Sequence, residues 1–426
     1  MARVPLYGWY GDDFTGATDT LATLVEGGLR ALLFLGLPTP AHLAAAGPLD
    51  AIGVAGATRA MAPDAMTAEL DPAGAFFAAQ GVALMHYKCC STFDSAPGTG
   101  SLGAAIRALR RHFPQGPVPI VGGQPNLRRY CLFGQLFAAA GIGGAVHRID
   151  RHPTMSVHPV TPMHEADLRR HLAGQGVGPI ELLDYRAYDG SVEALWVEKF
   201  ASGPEAVLLD VSRQADIAVV GRLLTQQLAA GALLAVGPSS VAQAFLAGSM
   251  VDVSGRTAVV AATPRRDGPV LTLVGSLSPV TREQVEAASG YHKLAIDPGR
   301  LGDAGYRNDL LDATISHLGT GDVMLITDRP DGAPQDAASV AAATAALLRA
   351  IVERVTLSRL IVAGGDTSSQ AIQALDIWGL GYRAACVPGA PLCRVHSDLP
   401  QLDGLDIILK GGQMGPPDFF DVAARQ

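Results

Sequence analysis

The chain has 426 residues, a formal net charge of −8 and 48% hydrophobic residues. That length exceeds what one core serves, so two domains are expected. An acidic balance without a basic tract argues against a nucleic-acid partner.

The first informative segment is Leu6–Ala17, LYGWYGDDFTGA. An apolar and aromatic run ends at Gly11, Asp12 and Asp13 follow, and an apolar-periodic run from Thr20 to Leu29 reads as a helix. Strand, tight turn and helix place both acids at the carboxyl end of a strand, where ligands bind in open α/β sheets. Paired acids there can hold a hydroxylated substrate, accept a proton or help ligate a metal. Helix capping by Asp13 with a solvated Asp12 is the plainer alternative.

Strand-like and helix-like stretches then alternate. Ala31–Leu35, Ala51–Ala55, Val82–His86 and Val118–Val121 read as strands, and Gly103–His112 and Tyr130–Ala140 as helices. Further on, Ala206–Asp210 and Ala232–Val236 read as strands, and Ile217–Ala230 and Val241–Ala247 as helices. This rhythm predicts parallel sheets flanked by helices. Thr58-Arg59 ends one strand, and a strand-end arginine can grip a carboxylate with its fork or form an ordinary ion pair. After Val82–His86 comes KCCSTFDSAPGTGSLG, in which Lys88, Ser91, Thr92, Asp94 and Ser95 fall within eight residues. Such density suits a hydroxyl-rich or anionic ligand, although a polar turn is the alternative.

Gly98–Gly103 is formally G-x-G-x-x-G, but a polar loop separates it from the strand and Val118–Asn126 supplies no acid at the required distance. An NAD-dependent acid-sugar dehydrogenase is therefore a minor alternative. The run His147–His164, HRIDRHPTMSVHPVTPMH, lacks zinc-ligand spacing and reads as a donor-rich loop that closes over a substrate through Arg148, Arg151, His152, His158 or Thr161. No metal-ligating residues are assigned. Cys89 or Cys90 beside Lys88 could be a nucleophile, though free cysteines are more often small buried residues.

Gly248–Gly268 breaks the alternation and reads as a linker between domains at 1–247 and 269–426. Strands are expected at Pro269–Val274, Val323–Thr327, Leu360–Ala363 and Ile407–Leu409, with a helix at Ala337–Ala350. Three glycine- and hydroxyl-rich turns follow predicted strands: Gly275–Thr281 with Ser276 and Ser278; Gly364, Gly365, Asp366, Thr367 and Ser368; and Lys410–Gly415 with Gly411, Gly412 and Gly415. Glycines admit phosphate oxygens to the backbone, and helix N-terminal N–H groups bind them. No P-loop motif is present. Cys89, Cys90, Cys131, Cys386 and Cys393 show no C-x-x-C spacing, which fits free thiols in a reducing compartment. With no signal-like N-terminus and no apolar run long enough to span a bilayer, a cytoplasmic protein with no membrane partner is expected.

The elements GDDFTGA at 11–17, KCCSTFDS at 88–95, HPVTPM at 158–163, GSLSPVT at 275–281, GGDTS at 364–368 and LKGGQMGPPDFF at 409–420 together resemble the four-carbon acid sugar kinase family. The resemblance implies two α/β domains with mainly parallel sheets and an active site in the interdomain cleft. The N-terminal domain would bind a small anionic acid sugar, and the C-terminal domain would bind ATP with Mg²⁺. KCCSTFDS is similar to the branch acting on 3-oxo acids, and RYCLFGQLFAA with RIDRHPTMSVHPVTPM is closer to its oxo-isoapionate type. A threonate- or erythronate-type kinase is the alternative. In the expected mechanism Asp13 or Asp12 is the base. Lys88 and Arg59 hold the carboxylate or neutralise developing charge, and Ser91, Thr92 and Asp94 contact hydroxyl and keto groups. Arg151 and His158 complete the substrate site. Ser276, Ser278, Gly364–Ser368 and Gly411–Gly415 cradle the nucleotide. A homodimer is possible.

Overall fold

A computed structural model describes residues 5–141, 143–158, 160–248, 266–275, 278–327, 337–364, 372–373, 375–412 and 414–426. The chain divides into two compact units, Met1–Val259 and Val260–Gln426. Of the expected linker, residues 249–265 lie outside the described residues.

The first unit holds β1 (Tyr7–Gly11), β2 (Ala31–Phe34), β3 (Ala51–Ala55), β4 (Leu84–Lys88), β5 (Val118–Val121), β6 (Gly123–Gln124), β7 (Arg129–Leu132), β8 (Gln135–Ala139), β9 (Val146–Arg148), β10 (Ile180–Leu183), β11 (Ala206–Leu209) and β12 (Leu233–Gly237). Its main sheet is parallel in the order β10-β11-β5-β12-β4-β1-β3-β2. β1 lies between β3 and β4, so the strand order reverses there and opens a crevice at the carboxyl ends. β1 is buried at every position, as befits a strand covered on both faces. Its two tyrosines are hydrogen-bonded internally: Tyr10 Oη donates to Glu69 Oε1 at 3.2 Å, and Tyr7 Oη pairs with His86 Nδ1 at 2.8 Å, while His86 Nε2 meets the Gly237 carbonyl at 2.9 Å. Burial lowers the His86 pKa to about 3, so this imidazole stays neutral.

The turn after β1 explains the spacing of GDDFTGA. Asp13 caps the helix Phe14–Glu26, its Oδ1 accepting from Gly16 N at 2.6 Å. A Cβ on Gly11 would stand 2.5 Å from that of Ala17, so the strand can turn into the helix only with small residues at both positions.

Tyr130–Ala140 is not the helix its alanine and leucine content predicts. It is the hairpin β7–β8 in a four-stranded antiparallel sheet, β6-β7-β8-β9. Phe133 and Gly134 both have positive φ, 54° and 76°, as a tight two-residue hairpin turn requires. Asp210 fixes them by accepting from Phe133 N at 2.6 Å and Gly134 N at 3.0 Å.

The second unit holds β13 (Val270–Val274), β14 (Tyr291–Ile296), β15 (Asp322–Thr327), β16 (Arg359–Ala363), β17 (Gly379–Val387), β18 (Ala390–His396) and β19 (Asp406–Lys410). Their order is β17-β18-β19-β16-β13-β15-β14, with β13–β16 and β19 parallel and β17 and β18 antiparallel. Its core packs Val270, Met324, Ile361 and Ile408 against Phe419 and Phe420. No helix among the described residues is long and apolar enough to cross a membrane.

Candidate active site

Asp12 and Lys88 leave the ends of β1 and β4, whose last residues, Gly11 and Lys88, are register partners. Asp12 N donates to the Lys88 carbonyl at 3.0 Å, and Arg59 N donates to the Asp12 carbonyl at 3.1 Å. The guanidinium of Arg59 closes on both acids. Nε and Nη2 reach Asp12 at 3.1 and 2.8 Å, and Nη1 reaches Asp13 Oδ2 at 2.5 Å. Arg59, expected to grip a carboxylate, neutralise developing charge or form an ordinary ion pair, is ion-paired with the two aspartates, and its side chain keeps 22% exposure.

Burial raises the Asp12 pKa, and Arg59 opposes that rise. The two carboxylates drive the Arg59 pKa up against its own burial. Asp12 has a side-chain exposure of 5% and Asp13 of 12%, so Asp13 is the more accessible acid. Lys88 is buried, its Nζ donating to the Cys89 carbonyl at 2.8 Å. A Cβ on Gly16 would lie 2.6 Å from both Lys88 Nζ and Asp13 Oδ1. Glycine there leaves the room in which the ammonium and the acid approach each other.

The loop after β4 brings Cys90, Thr92 and Asp94 together. Thr92 Oγ1 donates to Asp94 and lies 2.9 Å from Cys90 Sγ. Burial alone would raise the Asp94 pKa, but Arg59, the Thr92 and Cys90 hydrogen bonds and nearby His158 bring it below the usual value. Ser91 is half-buried beside them. Ser95 packs inward, accepting from Gln175 Nε2 at 2.8 Å. Burial pushes the Cys90 thiol up to about 11 and the Cys89 thiol well above its ordinary value, which disfavours the nucleophilic thiolate.

The glycines of the 98–103 motif serve packing. A Cβ on Gly100 would meet the Arg59 carbonyl at 2.4 Å, and one on Gly103 the Gln175 carbonyl at 2.1 Å. The tight strand-to-helix turn of a dinucleotide site is absent between β4 and the helix Leu102–Arg110.

Of the histidine-rich run, His158 is the member placed to act on Asp94, with its Nδ1 accepting from Thr161 N at 3.1 Å. Arg148 is held by Asp150 at 2.7 and 2.6 Å, Arg151 is exposed, and buried His152 accepts from Thr154 N and Met155 N. Among the described residues, no three His, Cys, Asp or Glu side chains are grouped as a metal site.

In the second unit the glycine turns leave adjacent strands β13, β16 and β19, whose ends Val274, Ala363 and Lys410 are in register. Gly275 N donates to the Ala363 carbonyl, and Gly364 N to the Lys410 carbonyl, both at 2.8 Å. Ser278 caps the helix Pro279–Ala287 and also donates to the Gly412 carbonyl, joining the first turn to the third. Gln284 Nε2 gathers the carbonyls of Met414, Gly415 and Pro416 at 3.0, 2.9 and 2.8 Å. Gly411 and Gly412 lie half-buried on this loop, and Gly415 holds φ 88°. Ser276, Gly365, Asp366, Thr367 and Ser368 lie outside the described residues.

Lys410 opens the third turn in the sequence but received no role there, because a lysine closing an apolar strand carries no spacing signal of its own. Its Nζ is fully buried and donates to Thr281 Oγ1 and the Gly411 carbonyl, both at 3.1 Å. Burial lowers its pKa to about 7.

A crevice of acids and cations in one unit, and glycine turns gathered around a buried lysine in the other, define a two-domain α/β enzyme that handles an anionic metabolite and a nucleotide. Residues 7–245 match the sugar-binding N-terminal domain family, and residues 271–420 match the nucleotide-binding C-terminal domain family. The chain is 39% identical to a 3-oxo-isoapionate kinase of Paraburkholderia graminis, covering 97% of this chain and 93% of that one. It is 32% identical to a 3-oxo-tetronate kinase of Cupriavidus necator, covering 100% and 98%. A solved Haemophilus influenzae structure superposes with a TM-score of 0.70 at 25% identity, covering 98% of both chains. A Salmonella typhimurium structure described as a putative tRNA synthase shares the fold, with a TM-score of 0.78 at 24% identity and 98% coverage of both chains. The chain belongs to the four-carbon acid sugar kinase family and is a sugar-acid kinase.

Proposed function

We propose that this kinase transfers the γ-phosphoryl group of ATP to the terminal hydroxyl of a small 3-oxo acid sugar, of the 3-oxo-isoapionate or 3-oxo-tetronate kind, giving the 4-phosphate. The observation that carries this choice is the 39% identity, across 97% of the chain, to a 3-oxo-isoapionate kinase.

Phosphoryl transfer needs alignment and charge neutralisation more than covalent chemistry. Asp13, the more accessible of the two acids, takes the proton of the acceptor hydroxyl. Arg59 fixes Asp13 from one side and Gly16 N fixes it from the other. Lys88, close to Asp13 across Gly16, neutralises charge that develops on the acceptor oxygen. Ser91, Thr92, Asp94 and His158 contact the substrate's hydroxyl and keto groups.

Gly364, Gly411, Gly412, Gly415 and Ser278 shape the nucleotide site, and Lys410 places a cation against the phosphates. The donor set fits a triphosphate: glycines that admit oxygens, and a buried ammonium whose described hydrogen bonds go to neutral oxygens. Mg²⁺ would arrive on the nucleotide, whose phosphates supply much of its coordination. When bound, it offsets charge on the transferring phosphoryl group. Five free thiols support a reducing, cytoplasmic setting.

The test is a coupled ADP-release screen over 3-oxo-isoapionate, 3-oxo-tetronate, D-threonate and D-erythronate. The highest kcat/KM is expected with a 3-oxo acid. Preference for threonate or erythronate would overturn the substrate assignment.

A further inference from the structure

Arg59 is closed on Asp12 and Asp13, which leaves open which group receives the carboxylate of an acid sugar. Arg129 is a second arginine within electrostatic reach of the Cys90–Asp94 loop. It faces Gln124 directly in the antiparallel β6–β7 ladder, so their side chains share one face, with Cβ atoms roughly 5 Å apart. Gln124 Nε2 donates to Asp19 Oδ2 at 3.0 Å. That bond ties the pair to the helix Phe14–Glu26, which carries Thr15 one turn before Asp19.

Three buried polar atoms here have no hydrogen-bond partner among the described residues: Arg129 Nε, Gln124 Oε1 and Thr15 Oγ1. A buried polar atom left unmatched is costly, and three on adjoining elements mark a place built for a polar ligand. The Arg129 guanidinium donates to the Leu127 carbonyl, and no carboxylate stands within ion-pair distance of it among the described residues. Burial lowers the Arg129 pKa, and the attraction of Cys90 and Asp94 does not restore it. Cys90 and Asp94 also act on Arg59, so the 90–94 loop lies within electrostatic reach of both guanidinium groups.

We propose that Arg129 grips the substrate carboxylate, with Gln124 Oε1 accepting from an adjacent hydroxyl and Thr15 Oγ1 donating to a hydroxyl or keto oxygen, so that the terminal hydroxyl is directed to Asp13. This specificity-determining role rests on the sugar-acid kinase reading for its ligand class.

The experiment uses the full-length wild type and the Arg129→Met and Arg129→Lys variants. Thermal melts are recorded without nucleotide in the presence of D-threonate, D-erythronate, 3-oxo-tetronate, or the neutral amides of the first two. Kinetics with the best acid follow. The wild type should be stabilised by acids and not by amides. Arg129→Met should lose that shift and raise KM for the acid about 100-fold, the range of a charged hydrogen-bonded pair, with KM for ATP changed less than about twofold. Arg129→Lys, which keeps charge and loses the fork, should fall between and serves where the methionine variant does not fold. The proposal is overturned if the wild type does not prefer acids to amides, if the variants keep the acid-induced shift, or if acid and ATP parameters worsen together. An acid-dependent shift without ADP release would instead refute the kinase reading and leave the carboxylate clamp standing.

Discussion

Replacing Asp13 by asparagine separates chemistry from architecture at this site. Asparagine retains an oxygen for Gly16 N, now 2.6 Å from Asp13 Oδ1, and caps helices about as well as aspartate. The ion pair to Arg59 Nη1 is lost, but the fork of Arg59 onto Asp12 remains at 3.1 and 2.8 Å. The stability cost is therefore about 1 kcal/mol, in the range for a partly exposed pair, or about 2–4 °C in Tm for a domain of this size. Loss of a general base costs about 10²–10⁴ in turnover, or about 3–5.5 kcal/mol of barrier. Asp12→Asn should behave in the opposite way. It breaks the buried fork, and removing one partner of a buried pair costs about 3–5 kcal/mol. The assay pairs ADP release with thermal melts on both variants. Wild-type kcat in a folded Asp13→Asn enzyme would remove Asp13 from proton transfer and refute the reasoning.

Lys410→Met should raise KM for ATP about tenfold or more, the loss of a charge-assisted phosphate contact, with KM for the acid unchanged in steady-state assays. In the wild type, KM for ATP should rise above the Lys410 pKa of about 7, set by burial, and this rise should be missing from the variant. The folded-state pKa lies below the unfolded lysine value, so between pH 7 and about 10.4 the unfolded chain binds the extra proton. Stability contributed by this group is therefore lowest below pH 7 and rises through that window, which melts of wild type against Lys410→Met will show. Gly16→Ala would place a Cβ 2.6 Å from Lys88 Nζ and Asp13 Oδ1. It should lower kcat about 100-fold, as misplacement near 1 Å does, and unchanged kcat would refute the close approach of these groups. Cys90→Ser should stay within about twofold of wild-type kcat, because a thiol pushed to about 11 is protonated at neutral pH; inactivation would reopen thiol chemistry.

The parallel strands were legible in the sequence because a strand buried on both faces is a short apolar run, and each such run ends in small or polar turn residues. β3 and β5 fall where the sequence puts them, at Ala51–Ala55 and Val118–Val121. The hairpin β7–β8 was not legible. YCLFGQLFAA supports a helical and a strand reading equally well by composition, and what decides is a turn with two left-handed residues held by Asp210. That carboxylate lies 77 residues from Phe133, a distance over which local periodicity carries no information. The antiparallel pair β17–β18 was missed for a related reason. Its pairing is with neighbouring strands, and register shifts between Tyr382 and Ala384 and between Ala384 and Val387 interrupt the ladder along β17.

At the site, the sequence pointed to the strand ends at Asp12–Asp13 and Lys88–Ser95, because polar residues crowded after an apolar run stand out. It did not identify which cation is committed and which is available. Arg59 sits on the short helical turn Thr58–Ala60 after β3 and Arg129 opens β7, and their difference is tertiary. The placement of β1 beside β3 brings Arg59 over Asp12 and Asp13, whereas the β6–β7 ladder sets Arg129 against a neutral amide. Asp12, Asp13, Arg59 and Lys88 consequently form a set of two negative and two positive groups. An entering carboxylate meets no net repulsion there and finds its attraction at Arg129. A substrate that is itself an anion can thus be brought to a pair of aspartates because their charge is already answered within the protein, which also predicts that neutral sugars of the same length will lack the interaction that orients the acceptor hydroxyl.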